Sequence, residues 1–315
     1  MDYSVFQYGH DDDQMVAIQH LLAVCNQDLF QPVEWFRWRY EQNPLGKAII
    51  VCAQENERIL ACLVVEKLHV ICGSEVCRCG CVTRVAIKEG PEREAILSRL
   101  LTVARNEAKD QRLDIIMAFD SVSDQLRDAE FEWTIDSVET SQVIQPMRPF
   151  RSIFRLSDVN KAFVPNKCTA YHSEGIDSIC FDELANSSAG TGGWTLEPDM
   201  LKWLVSYTNK EYALIDNNDV TAIAALGRRG IQKDAHLLMM ISKKEGVPAG
   251  GYLRDVLEVI RERINPDEVS AVESEQLLSG DGLLRSKTQV NYAYQVLKGG
   301  GSNVNEIAMA IHRWL

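Results

Sequence analysis

Apolar residues recur at two different spacings along the first 120 positions. In "QMVAIQHLLAVC", Met15, Ile18, Leu21, Leu22 and Cys25 fall three or four apart, the period of a helix with one buried face. Asp11 to Asp13 stand just before it and suit the positive end of such a helix. "YSVFQYG" predicts a first strand ahead of them. "AIIVCAQ" and "RILACLVVEKLHVI" are apolar runs joined by the polar "ENER", which predicts two strands and a turn. "EVCRCGCVTRVAIK" predicts a further strand. "PEREAILSRLLTVARNEAKDQ" returns to helical spacing, with Leu97, Leu100, Leu101, Ala104 and Ala108 along one face. "LDIIMAF" is apolar on both faces, as a strand inside a covered sheet must be. "SDQLRDAEF" predicts a short helix after it.

Periodicity fades from Arg148 to Pro198, and "ANSSAGTGGW" reads as a glycine-rich linker. The pattern then restarts as a repeat. "WRYEQNPLGKAII" from Trp38 matches "WLVSYTNKEYALI" from Trp203, with Ala48 and Ala213 each opening a strand ten positions on. Lys88-Glu89-Gly90 matches Lys244-Glu245-Gly246. At that same offset Leu97, Leu101, Val103 and Arg105 meet Leu253, Leu257, Val259 and Arg261. A shared offset through a helix argues for duplication. The expected organisation is one α/β domain over 1–150, a linker region over 151–194, and a more diverged copy over 195–315.

Composition narrows the function. The chain has 315 residues, 46% hydrophobic, and a formal net charge of −12. That field disfavours nucleic acid and anionic membranes as partners and suits a small-molecule substrate. No run reaches the ~18 apolar residues of a membrane span, and the first twenty residues lack the pattern of a signal peptide. The nine cysteines are odd in number and suit a reducing cytoplasm. Cys77, Cys79 and Cys81 alternate along a strand, where neighbours on one face lie roughly 6.5 Å apart, too far for shared zinc. They read as small apolar fillers. No metal is expected. Homo-oligomerisation is compatible with the sequence.

"FRWRYEQNPLGKAIIVCAQENERILACLVV" resembles the opening of tandem acetyltransferases of the bacterial GNAT superfamily, where W-x-Y-x-x-N-P-x-G leads into strands two and three. Trp38, Tyr40, Asn43, Pro44 and Gly46 carry the match, best over residues 1–150. The resemblance implies two acyl-CoA N-acyltransferase domains, each a mixed, largely antiparallel sheet flanked by helices. It implies acetyl-CoA as acyl donor and a small amine or amino sugar as acceptor. It also places the cofactor: the end of strand four, Val85, Ala86 and Ile87, along the pantetheine, and the start of the next helix, Arg93, Glu94, Ala95 and Ile96, at the pyrophosphate. The family's Arg or Gln position falls on Glu92, and its glycines fall on or near Arg93 and on Ala95.

A helix N-terminus offers unpaired N–H groups and partial positive charge to a phosphate. Glu92 and Glu94 oppose a phosphate there, and they equally suit an ordinary helix start. Gly246, Gly250 and Gly251 in "SKKEGVPAGGYL" form the alternative cofactor loop. Asp120, after the apolar strand "LDIIMAF", is a weak candidate base and also fits a helix cap. Trp35, Trp38 and Tyr40 fit either a substrate platform or core. The six histidines are scattered. Two functions follow: an acetyl-CoA-dependent N-acetyltransferase, or a catalytically inactive GNAT-fold binding protein.

Overall fold

A computed structural model describes residues 1–9, 12–26, 31–56, 58–72, 75–88, 90, 92–119, 134–146, 169–172, 193–194, 199–200, 203, 206, 211–216, 219–229, 232–242, 252–264, 266, 268–272, 284–297 and 304. The strands are β1 (Asp2–Val5), β2 (Ile49–Glu55), β3 (Arg58–Cys72), β4 (Glu75–Ile87), β5 (Ile115–Phe119), β6 (Thr134–Pro146), β7 (Thr169–His172), β8 (Gly193–Trp194), β9 (Glu211–Asp216), β10 (Val220–Arg229), β11 (Gln232–Ser242), β12 (Glu268–Val272) and β13 (Leu284–Val296). The helices are α1 (Asp12–Asn26), α2 (Val33–Phe36), α3 (Arg93–Asp110) and α4 (Leu253–Val259). α2 runs on as a π-helical turn over Arg37–Glu41, and α4 as another over Ile260–Ile264.

The chain divides into two compact units, and neither is continuous in sequence. One holds Met1–Val138, Gly192–Thr195 and Gln289–Leu315; the other holds Glu139–Thr191 and Leu196–Thr288. Residues that follow the first repeat therefore belong to the second unit, and the C-terminal strand belongs to the first from Gln289 onward.

In the first unit the strand order is β1-β2-β3-β4-β5-β13. All neighbours are antiparallel except β4 and β5. Both faces of this sheet are covered, which explains the unbroken apolar runs. On one face, Leu97, Leu100, Leu101, Ala104 and Ala108 of α3 pack on Ile49, Val51, Leu63, Val65, Val82, Val85 and Ile116. On the other, Met15, Ile18, Leu21 and Leu22 of α1, with Phe36 and Tyr40, pack on Ile50, Cys52, Cys62, Val64 and Ala86.

In the second unit the order is β6-β12-β11-β10-β9-β7. Its one parallel pair is β11 with β12, and Val256, Leu257, Val259 and Ile260 cover Ile215, Ala222, Ala224, Ala235 and Leu237. The repeat is visible in the cores, since Trp38 and Trp203, Ala48 and Ala213, and Leu101 and Leu257 are all buried. Strand, strand, strand, helix and parallel strand recur in that order as β2-β3-β4-α3-β5 and β9-β10-β11-α4-β12. The short helix expected over "SDQLRDAEF" lies outside the described residues, as does most of 151–194.

Candidate functional site

The site begins at the end of the described ladder between two parallel strands. β4 pairs with β5 from Cys79↔Ile115 to Val82↔Ala118. Among the described residues that ladder stops there, while β4 runs on to Ile87. Its other edge stays bonded to β3 throughout, ending at Ala61↔Ile87. That point coincides with a bulge: Val65 faces Val82 and Val64 faces Arg84, so Thr83 is the extra residue. A bulge bends its strand and re-aims the side chains beyond it. Thr83 Oγ1 is buried and has no hydrogen-bond partner among the described residues. The second unit repeats the device. Ile223 faces Met239 and Ala224 faces Leu237, so Leu238 is extra, one residue past the last β11–β12 pair at Leu237↔Ala271.

Beyond the bulge, Val85 and Ile87 lie on the α3 side and Ala86 on the α1 side. Arg84 shares the α1 side, where it helps line a cavity of about 260 Å³ with Gln19, Leu22, Trp35, Phe36 and Tyr40. Burial holds the Arg84 guanidinium below its ordinary pKa. Gln19 is 4% exposed; its Nε2 donates to Pro32 O at 3.1 Å, and its Oε1 has no partner among the described residues.

The π-turn shapes the wall of this cavity. Gln42 N–H donates to Arg37 O at 2.9 Å, a five-residue step. That step brings the Trp35 ring edge-on to Tyr40 at 5.5 Å, while Phe36 meets Tyr40 at 4.9 Å. Such turns concentrate at functional sites. Trp38 and Tyr40 are core residues at 5% and 1% exposure, whereas Trp35 is half-buried against the cavity. Burial pushes the Tyr40 hydroxyl well up, so it is protonated at neutral pH.

Arg39 Nε stands 2.7 Å from Glu66 Oε2 beneath this wall. Burial opposes the Arg39 charge, and Glu66 and Tyr40 outweigh it, holding the guanidinium above its ordinary pKa.

The first turn of α3 is exposed at Glu92, Arg93, Glu94 and Ala95. Glu92 occupies the N-cap position without a side-chain capping bond. The helix end is therefore not closed by that acid. Ile96 faces the core, and its N–H donates to Glu92 O at 2.9 Å. Gly90 is not demanded by space, since a Cβ there would meet nothing within 4 Å. Asp120, Gly246, Gly250 and Gly251 lie outside the described residues.

No family model matches the chain, and no curated protein matches it. Solved structures do. A GCN5-related N-acetyltransferase from Anabaena variabilis aligns with a TM-score of 0.64 at 11% identity, over 94% of this chain and 73% of that one. A probable N-acyltransferase from Enterococcus faecalis aligns at 0.62 and 11% identity, over 95% and 73%. A tandem GNAT protein from the clavulanic acid pathway aligns at 0.59 and 9% identity, over 95% of this chain and 99% of its own. The fold is the GNAT fold.

Within this GNAT fold the "NPLG" stretch has a structural task. Leu45 N–H donates to Asn43 Oδ1 at 2.9 Å and Gly46 N–H to Asn43 O at 2.9 Å, while Asn43 Nδ2 reaches Lys67 O at 3.3 Å. Gly46 sits at φ +110°, a left-handed conformation that favours glycine. The turn thus ties the end of the π-turn to β3. Cys77 and Cys79 are buried, and their thiols converge to 3.7 Å, nearer than strand spacing alone sets. Among the described residues no three His, Cys, Asp or Glu gather as a metal site, and no helix is long and apolar enough to cross a membrane. Gln19 and Thr83 escaped the sequence reading. Thr83 left one signal, because the polar pair in "VTRVAI" interrupts an apolar strand, as a bulge does.

Proposed function

We propose that the chain is an acyl-CoA-dependent N-acyltransferase that acts on a small amine in the cytoplasm. The observation that carries this is the Thr83 bulge of β4 at the end of the described β4–β5 ladder, beside an aromatic cavity on the α1 side. An open strand edge supplies backbone donors and acceptors to an extended, amide-bearing arm such as pantetheine. Such an arm, when bound, supplies the thioester that an amine attacks to form an amide and release a thiol. The apolar Val85, Ala86 and Ile87 suit the arm and exclude water from it. The α3 turn fits the diphosphate less well, because Glu92 and Glu94 stand exposed beside Arg93. The donor is therefore held mainly by its arm, and its affinity is expected to be weaker than about 100 μM, roughly −5.5 kcal/mol.

The described lining of the cavity holds no carboxylate or imidazole. Asp120, the residue after the end of β5, is the proposed base, taking the amine proton directly or through water. Thiol release from acetyl-CoA with a panel of amines and amino acids tests the reading. Turnover in the wild type and a loss of about 10²-fold in Asp120→Asn supports it. The exposed acids favour one other reading, a GNAT-fold binding protein without catalysis; cavity binding with no thiol release from any acceptor would select it.

A further inference from the structure

The molecule is acidic, with a net charge of −12, yet the cavity behind β4 is lined by a single charged side chain among the described residues, and that one is a cation. Arg84 reaches it because, paired with Val64, it stands on the α1 side of β4, while Val82 and Val85 stand on the α3 side. A guanidinium offers a planar fork of donors that matches a carboxylate. Gln19, 4% exposed, brings a buried carbonyl oxygen whose only use among the described residues is to wait for a donor. Its Nε2 is held by the bond to Pro32 O, which leaves Oε1 as the amide atom open to a donor. An unpaired buried acceptor is costly, so a ligand that supplies an N–H regains that cost. Leu22, Ala23, Gln31, Trp35, Phe36 and Tyr40 form the remaining wall, and its three rings suit an apolar or aromatic body.

We propose that this cavity binds an α-amino acid with an apolar side chain, its carboxylate on Arg84, its amino group donating to Gln19 Oε1 and its side chain against Trp35, Phe36 and Tyr40. A volume of about 260 Å³ suits one amino acid and not an oligosaccharide or a long peptide. Polycationic amines are disfavoured twice, by the Arg84 charge and by the lack of an acid among the described lining residues. The partial desolvation that lowers the Arg84 pKa strengthens its pairing with an anion. The inference rests on the acyltransferase reading for the fate of the bound molecule, and not for its binding.

The test is calorimetry on the full chain without acetyl-CoA, using L-phenylalanine, L-phenylalaninamide and spermidine. L-Phenylalanine is expected to bind about ten- to hundredfold more tightly than its amide, which lacks the carboxylate. Arg84→Gln removes that preference, weakening the acid far more than the amide, and Gln19→Leu weakens both ligands about tenfold. If Arg84→Gln does not fold, the acid-to-amide ratio in the wild type decides alone. Equal binding of acid and amide, or tighter binding of spermidine, overturns the proposal. Discrimination in binding with no thiol release would leave it standing and remove the acyltransferase reading. Thiol release with spermidine and none with L-phenylalanine would do the reverse.

Discussion

Val82 and Arg84 are two positions apart on one strand and stand on opposite faces of it. In a regular strand they would share a face. Thr83 absorbs the difference as a bulge against the Val64–Val65 step of β3. Deleting Thr83 leaves Arg84 on its present side but straightens β4, which lets the β5 ladder close over the open edge. The deleted chain is expected to fold, to keep binding L-phenylalanine within about threefold, and to lose about 10²-fold in acyl transfer, the scale of an ångström-sized misplacement. Unchanged turnover beside an unchanged melting temperature would show that the bulge is not what opens the edge.

Glu66 is 2% exposed and its partner Arg39 keeps 18% of its side chain exposed, so the carboxylate depends on the guanidinium far more than the reverse. Glu66→Gln leaves a buried guanidinium facing a neutral amide. The expected loss is about 3 kcal/mol in urea unfolding. A loss under about 1 kcal/mol would place the pair in effectively wet surroundings.

Gly46 combines φ +110° with a close neighbour, since a Cβ there would come within 2.9 Å of Lys67 Nζ. The lysine tip swings away easily, so the backbone conformation dominates. Gly46→Ala is expected to cost about 1–2 kcal/mol by thermal or urea unfolding, with m unchanged. No loss would mean that the turn re-forms with negative φ.

Alkaline pH should destabilise the first unit's core. Burial pushes the Cys52 thiol up to about 12 and holds Cys62 and Cys81 well above the ordinary thiol range. In the unfolded chain thiols ionise near about pH 8.5, while the folded chain keeps its protons. Stability from these groups is therefore full below that pH and is lost as pH climbs toward about 12, at up to ~1.4 kcal/mol per pH unit for each thiol. Unfolding in reductant at pH 8, 9 and 10 measures the slope. Cys52→Val should flatten it by about a third. A flat profile in the wild type would mean that the thiols ionise in place.

Glu92→Gln with Glu94→Gln should tighten acetyl-CoA binding about two- to fivefold at low ionic strength, with the gain shrinking as salt rises. Calorimetry at two salt concentrations measures it. Unchanged affinity would put the diphosphate elsewhere, and the loop with Gly246, Gly250 and Gly251 would be the next place to look.

Elements whose cause is local could be read from the chain alone. Leu97, Leu100, Leu101, Ala104 and Ala108 fix the buried face of α3 by spacing, and all five are in the core. The continuous apolar runs of β2 to β5 follow from a sheet covered on both faces. The site depends on non-local geometry. A bulge is one unpaired residue, defined by the partner strand and not by its own sequence. A π-turn needs Gln42 to choose Arg37 over its nearer carbonyl, and no composition rule encodes that choice. Gln19 has no mark of its own in the sequence, because only the folded chain shows that Pro32 holds its amide.

The strand arrangement bears on how the molecule can be taken apart. Tyr292 to Val296 of β13 pair with Phe119 to Ile115, and Gln142 to Pro146 of β6 pair with Val272 to Glu268. Each unit thus takes one strand from the other half of the sequence. A fragment ending near residue 150 would expose the whole edge of β5, whose five residues are all buried in the intact chain, as a sticky template for aggregation. Two separately expressed pieces would instead be mutual chaperones, soluble only when made together. A nick in the intervening segment would leave them interlocked by hydrogen bonds, so that the cut chain still migrates as one particle until denatured.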